Sequence, residues 1–240
     1  MAVSNALGQN QEQNRAERPS GGRGARVLVV GAGGLGSVAA LALGRWPSVG
    51  AIGLVDDDSV ELSNLHRQIA YSERDVGESK LVALEKALRR DGFVGAVTQH
   101  FGRVMPENAV KLASAYDIVV EGADNFATKF LVADACAAAR VPVVHGAAVR
   151  WVGTAMAVGA NGRPCYRCLF EDEPQDGAAN CAEAGVMGPM VGVIAAIQAD
   201  LAIAMIDGAL TGGVLVTFDA KSDELRRRDI APRARCALCG

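Results

Sequence analysis

Four cysteines stand in two matched pairs, Cys165-Tyr-Arg-Cys168 and Cys236-Ala-Leu-Cys239. Two Cys-x-x-Cys turns can place four thiolates at the corners of a tetrahedron, the geometry of a closed structural zinc site. Two disulfides or a thioredoxin-like redox pair would use the same residue types. A redox Cys-x-x-Cys, however, occurs once, near a strand-helix junction, whereas here the motif appears twice in turn-like surroundings. Zn2+ held by Cys165, Cys168, Cys236 and Cys239 is therefore the leading reading.

A second chemistry begins at Gly31-Ala-Gly-Gly-Leu-Gly36, which follows the apolar run Arg26-Val-Leu-Val-Val30 and opens a small-residue stretch reaching Gly44. Glycines let a backbone approach a phosphate, and a helix N-terminus adds unpaired N–H groups and the positive end of its dipole. Gly31, Gly33, Gly34 and Gly36 thus form a candidate phosphate cradle. Asp56, at the end of a second apolar run Ala51-Ile-Gly-Leu-Val55, stands where a dinucleotide fold places an acidic residue for ribose hydroxyls. On this motif alone an NAD-dependent oxidoreductase is the simpler reading.

The segments Ser63-Asn64-Leu65-His66-Arg67-Gln68 and Gly77-Glu-Ser-Lys80 change the balance. Hydride transfer has no need of two cations near the pyrophosphate, but cleavage of a triphosphate must neutralise charge that develops there. Arg67 and Lys80 meet that need, although each taken singly reads as a solvated surface charge. Asp124-Asn125 follows the strand-like Asp117-Ile-Val-Val-Glu121, at the carboxyl end of the sheet where open α/β folds place their sites. Asp124 is placed to hold Mg2+. No Gly-x-x-x-x-Gly-Lys-Ser/Thr sequence is present, which excludes a P-loop.

These groups need a scaffold. Apolar runs at 26–30, 51–55, 117–121 and 142–146 alternate with helical patterns at 79–90, 106–115 and 126–139. Such alternation predicts an α/β fold with a Rossmann-like, mostly parallel sheet. From Trp151 shorter strand-like pieces, a polar loop and one long apolar helix near 188–206 predict a C-terminal zinc-bound appendage. Residues 1–25, rich in Gln, Asn, Arg and Gly, read as a disordered arm, and 26–240 as one domain. The formal net charge of -3 argues against a nucleic-acid surface. The N-terminal arm has no signal-peptide run, and the apolar helix is interrupted by Gln198 and Asp200. The expectation is a cytoplasmic protein without a membrane span.

Taken in order, Gly31-Ala-Gly-Gly-Leu-Gly36, Leu54-Val-Asp56-x-Asp58, Ser63-Asn-Leu-x-Arg67-Gln68, Lys80, Asp124-Asn125, Cys165-Tyr-Arg-Cys168-Leu and Asn180-Cys181-x-x-Ala-Gly-Val186 resemble the MoeB/ThiF (HesA) family over residues 26–239. These are adenylyltransferases similar to the adenylation domain of ubiquitin-activating enzymes. The resemblance implies ATP-dependent adenylation of the C-terminal glycine of a ubiquitin-like sulfur-carrier protein ending in Gly-Gly, with the enzyme a homodimer. It implies that Gly34, Asp56, Asn64, Arg67, Lys80, Asp124 and Asn125 bind ATP, and it extends the set to Asp58, Ser63 and Gln68. It also leaves Cys181 with two roles open, a nucleophile forming a covalent link to the carrier or a small structural thiol. Three features depart from the family pattern. The arm carries only Arg15 and Arg18 in place of an Arg-Tyr-x-Arg-Gln helix. Lys129 and Ala133 stand where an arginine and an asparagine are usual. With no rhodanese sequence after Cys239, the expectation is that sulfur comes from a separate donor protein. A catalytically inactive binding protein on the same fold is the remaining alternative.

Overall fold

The apolar run after Gly24 forms strand β1 (Ala25–Val30), and its side chains alternate between two cores, Val27 and Val29 on one face, Leu28 and Val30 on the other. Burial on both sides is what a central strand of a two-sided sheet requires. The computed structural model describes residues 24–172 and 185–240. Most of the expected arm, including Arg15 and Arg18, and Cys181 lie outside those residues.

Around β1 the chain builds one sheet of eight strands in the order β3-β2-β1-β4-β5-β6-β7-β8. The strands are β2 (Val49–Asp56), β3 (Ala96–Phe101), β4 (Ile118–Glu121), β5 (Val143–Val149), β6 (Val152–Val158), β7 (Val214–Asp219) and β8 (Glu224–Asp229). The first five in spatial order are parallel, and the strand order reverses around β1, opening a crevice between the carboxyl ends of β1 and β4. Strands β6, β7 and β8 continue the same sheet antiparallel. The expected appendage thus takes the form of an extension of the sheet edge, with the paired cysteines after β6 and β8.

Helices cover both faces. On one side lie α1 (Gly34–Gly44), α2 (Lys80–Arg90) and a long helix, and on the other α3 (Ala109–Ser114), α4 (Phe126–Ala139) and a four-residue turn of helix, α5 (Tyr166–Leu169). The long helix, α6 (Gly188–Ile206), is long and apolar enough to cross a membrane by length and composition. Its inner face nevertheless sits in the core, with Met190, Ile194, Ala195, Leu201 and Ala202 fully buried against the sheet and α1. Gln198, which interrupts its apolar sequence, is also buried and donates to the carbonyls of Glu121 and Val144.

Three local expectations shift. The helix predicted from Pro106 begins at Ala109, because the Asn108 side chain accepts from the Met105 N–H and donates to the Arg103 carbonyl, holding 103–108 as a turn. Strand β3 was not predicted, since Ala96-Val-Thr-Gln-His-Phe101 is a half-buried edge with no apolar run. Strand β5 runs on to Val149, where it hairpins into β6.

Candidate active site

The β1–α1 turn supplies the floor. Gly31 adopts φ +87°, a left-handed conformation that side chains resist, and lets the chain reverse into α1. A Cβ on Gly36 would lie 1.8 Å from the Gly31 carbonyl oxygen, so Gly36 serves the tightness of the turn rather than the wall of the site. The turn is braced twice: the Tyr71 hydroxyl donates to the Ala32 carbonyl at 2.6 Å, and the Ala32 N–H donates to Asp56 Oδ2 at 2.7 Å. No side chain caps α1 at Gly33, and its first turn carries no acidic residue. Its N-terminal N–H groups and the positive end of its dipole are left for an anion.

Above this turn opens a cavity of about 720 Å³, within the range of small-molecule and cofactor sites. Gly31, Gly33, Gly34, Asp56 and Asp58 line it, as do Arg67, Gln68, Lys80, Asp124 and Asn125. Ser63 and Asn64 do not: their side chains turn to Glu61 Oε2 at 3.2 and 3.4 Å. Asn64 acts through its backbone instead, its carbonyl accepting from the Arg67 and Gln68 N–H groups at 3.1 and 3.0 Å. The short turn Leu62–Asn64 is therefore a bracket that delivers Arg67 and Gln68 to the wall.

Charge is unevenly distributed along that wall. Lys80 is the first residue of α2, where a cation opposes the helix dipole. Its buried ammonium is offset by Asp58 Oδ2 at 2.6 Å and Asp56 Oδ1 at 4.0 Å. Burial raises the Asp56 carboxyl above its ordinary value, and Lys80 and the N–H groups of Asp58 and Ala32 oppose that rise. Arg67 has no carboxylate partner among the described residues; its Nη1 lies 3.3 Å from His66 Nε2. Asp124 is exposed and unpaired in the same sense, while Asn125 Oδ1 caps α4 by accepting from the Thr128 N–H at 2.9 Å. One cavity thus holds an uncompensated cation, a compensated one, a free carboxylate and a helix N-terminus.

Beneath Asp124 lies a cluster that sequence reasoning missed. Glu121, Lys129 and His145 are 0 %, 3 % and 3 % exposed. Lys129 Nζ donates to both Glu121 oxygens at 3.1 and 3.0 Å and to the Gly146 carbonyl at 2.5 Å, and His145 Nδ1 lies 3.0 Å from Glu121 Oε2. Burial pushes the Glu121 carboxyl up, but Lys129 and His145 outweigh it and leave it below its ordinary value; burial holds His145 down. The remaining Glu121 bond, Oε1 accepting from the Ala123 N–H at 2.6 Å, fixes the turn that carries Asp124. Lys129, a departure from the family pattern, therefore belongs to the support of the site and not to its wall. Other wall residues unforeseen from sequence are Arg103, paired with Asp57 at 2.7 Å, and Arg167, paired with Asp134. The one signal for Arg167 was its position inside the first Cys-x-x-Cys.

The four cysteines do come together. Their sulfurs lie within 4.8 Å of one another, with Cys165–Cys236 at 3.4 Å, Cys168–Cys239 at 3.3 Å and Cys165–Cys168 at 3.8 Å. Four thiolates about 2.3 Å from a tetrahedral zinc stand about 3.8 Å apart, so the cluster is compatible with that ion. The Arg233 N–H, 3.3 Å from Cys168 Sγ, adds a donor to the set.

Comparison with known proteins places these features. The family model described as ThiF family matches residues 22–239. "Adenylyltransferase and sulfurtransferase MOCS3" of Anopheles gambiae is 40% identical over 220 residues, 90% of this chain and 49% of that protein. The Zea mays protein named MOCS3-2 is 43% identical over 221 residues, 89% and 45% of the two chains. The chain spans about half the length of these curated relatives. Among solved structures, E. coli MccB with ATP superposes with a TM-score of 0.75 at 22% identity, covering 91% of this chain and 67% of that one. PaaA gives 0.70 at 21%, over 86% and 64%. These likenesses fix the fold.

Proposed function

The chain belongs to the ThiF family, and from that premise we propose that it uses ATP to adenylate the C-terminal glycine of a ubiquitin-like sulfur-carrier protein ending in Gly-Gly. The observation that carries this reading is the meeting of Arg67, Lys80 and Asp124 with the glycine turn in one cavity. A nicotinamide dinucleotide calls for no uncompensated guanidinium beside its pyrophosphate, whereas expulsion of pyrophosphate does. The names of the curated relatives, which pair adenylyltransferase with sulfurtransferase, support the same class of chemistry.

In this reading the turn Gly31–Gly34 and the start of α1 hold the phosphates, and Asp56 accepts from the ribose hydroxyls. The carrier's terminal carboxylate oxygen attacks the α-phosphorus, the bond to the bridging oxygen of the β-phosphate breaks, and pyrophosphate leaves. A poor acyl electrophile becomes an acyl-adenylate with AMP as leaving group. Arg67 and Lys80 stabilise the charge gathered on the departing pyrophosphate. Asp124 would hold Mg2+, which supplies Lewis-acid neutralisation of phosphate oxygens when bound. Asn125 keeps its amide N–H groups for the same end of the cavity while its oxygen caps α4. Zn2+ on Cys165, Cys168, Cys236 and Cys239 would tie the turn after β6 to the chain beyond β8.

In this reading the sulfur comes from a separate donor protein; among the described residues the free cysteines are the four clustered ones and the buried Cys136, whose thiol burial pushes up to about 12. A homodimer in the cytoplasm completes the reading. The experiment is carrier-dependent exchange of pyrophosphate into ATP, together with sedimentation of the purified protein. Absence of exchange with every Gly-Gly carrier supplied would sink the reading.

A further inference from the structure

Among the described residues three arginines line the cavity. Arg103 and Arg167 are neutralised by Asp57 and Asp134, whereas Arg67 has no carboxylate partner. The carboxylate of its own turn, Glu61, is engaged by the Ser63 hydroxyl and the Asn64 amide and does not reach the guanidinium. A cation meant for pyrophosphate gains from this isolation, because a paired carboxylate would cancel the attraction the cation supplies. Isolation also costs order. A guanidinium ends a long flexible stem, and an unheld one spreads over many rotamers.

The backbone beneath it is already fixed. The Asn64 carbonyl accepts from the Arg67 N–H at 3.1 Å. A Cβ on Gly34 would lie 2.8 Å from the Arg67 carbonyl oxygen, and one on Gly188 would lie 2.3 Å from the His66 carbonyl oxygen. Residues 66 and 67 are thus wedged against the first residues of α1 and α6. What remains loose is the Arg67 side chain, whose one hydrogen-bond partner among the described residues is the His66 ring.

That ring is held in a single chemical form. His66 Nδ1 lies 2.9 Å from the Ser63 carbonyl oxygen, which can only accept, and Nε2 lies 3.3 Å from Arg67 Nη1, which can only donate. One species meets both contacts: the neutral imidazole with its proton on Nδ1 and its lone pair on Nε2. A neutral acceptor holds the guanidinium still and leaves its whole charge for the ligand. We propose that His66 is the positioning residue for Arg67, an uncharged arm that aims the guanidinium at the pyrophosphate end of the cavity. This rests on the adenylation reading and names what orients its uncompensated cation.

The test separates the two ring nitrogens. His66→Asn keeps an amide N–H for the Ser63 carbonyl but offers nothing to Arg67, whereas His66→Gln puts a carbonyl oxygen where Nε2 stands. Full-length wild type, both variants, Arg67→Ala and the double variant His66→Asn with Arg67→Ala are titrated calorimetrically with inorganic pyrophosphate and Mg2+. Each is also assayed for carrier-dependent exchange. His66→Asn should weaken pyrophosphate binding and lower kcat about tenfold each, the scale of one hydrogen bond to a charged group, with an unchanged urea midpoint. His66→Gln should recover most of both losses. In the Arg67→Ala background the asparagine should change neither. Long-range 15N NMR should show neutral His66 with its proton on Nδ1. The proposal is overturned if His66→Asn matches wild type, if His66→Gln is no better, if the effect persists without Arg67, or if the proton sits on Nε2. A loss matched by a lowered urea midpoint assigns His66 to the fold and overturns it as well. Absent exchange in a wild type that still binds pyrophosphate in a His66-dependent way removes the adenylation reading alone.

Discussion

Replacing Lys129 by Met removes one charge from a cluster with no access to water. The Glu121 carboxylate would keep the Ala123 N–H and His145 Nδ1 as partners but lose both ammonium contacts, and the Gly146 carbonyl would lose its donor. Breaking a buried ion pair by removing one partner costs about 3–5 kcal/mol. For a domain of this size that corresponds to a fall in Tm of roughly 6–20 °C. The sign of the pH dependence follows from the two states of Glu121. In the wild type its carboxyl lies below the ordinary value, so its contribution to stability is present above pH 4.5 and lost as pH falls through the depressed folded value. In the variant, burial acts with less opposition, the folded carboxyl rises above its unfolded value, and stability is lost as pH rises. Urea unfolding of both proteins should therefore show a gap that is wider at pH 8 than at pH 5. The double variant Glu121→Gln with Lys129→Met should recover much of the loss, since it leaves no unpaired charge. A single variant within about 1 kcal/mol of wild type at pH 8, or a double variant no better than the single, would refute the claim that this pair holds the floor beneath Asp124.

Asp124→Ala should abolish pyrophosphate exchange while leaving unfolding within about 0.5 kcal/mol of wild type, because the carboxylate is exposed and carries little packing; an active variant would remove Asp124 from the reaction. Protein purified without added metal should contain one zinc per chain by elemental analysis. Chelation should expose the four clustered thiols to labelling and loosen β7 and β8 before the parallel strands exchange their amides; a metal ratio near zero with freely labelled thiols contradicts the site. Cys181→Ser should leave both adenylation and sulfur transfer near wild type. A thiol-sensitive adduct with the carrier, seen by mass spectrometry in the wild type and missing in the variant, would instead make Cys181 a nucleophile.

The elements most readable from sequence were those whose patterns had one physical cause. The glycine turn needed Gly31 at positive φ, and α4 and α6 carry long runs with clear stops, so their bounds coincide with expectation. Strand β3 escaped because an edge strand has one buried face at most and needs no apolar run. The antiparallel extension was read as an appendage because short strands say nothing about which edge they join. Within the site, residues delivered by one local motif were visible, as with Arg67 beside Gln68 and Asp124 beside Asn125. The cluster of Glu121, Lys129 and His145 was not, since its members stand on β4, α4 and β5, far apart in sequence, and meet only when the sheet stacks them. Ser63 and Asn64 stand apart from the cavity wall. Their polar side chains drew attention, while the backbone carbonyl of Asn64 performs the local task.

The central claim is that this cavity serves a nucleoside triphosphate and an acyl carboxylate. Its most direct measurement is exchange of labelled pyrophosphate into ATP, with and without a small protein ending in Gly-Gly, alongside a titration of the same preparation with NAD. Exchange should depend on the carrier and on Mg2+ and be lost when the carrier's last glycine is removed, with no tight NAD binding. Tight NAD binding with no exchange for any Gly-Gly carrier would contradict it.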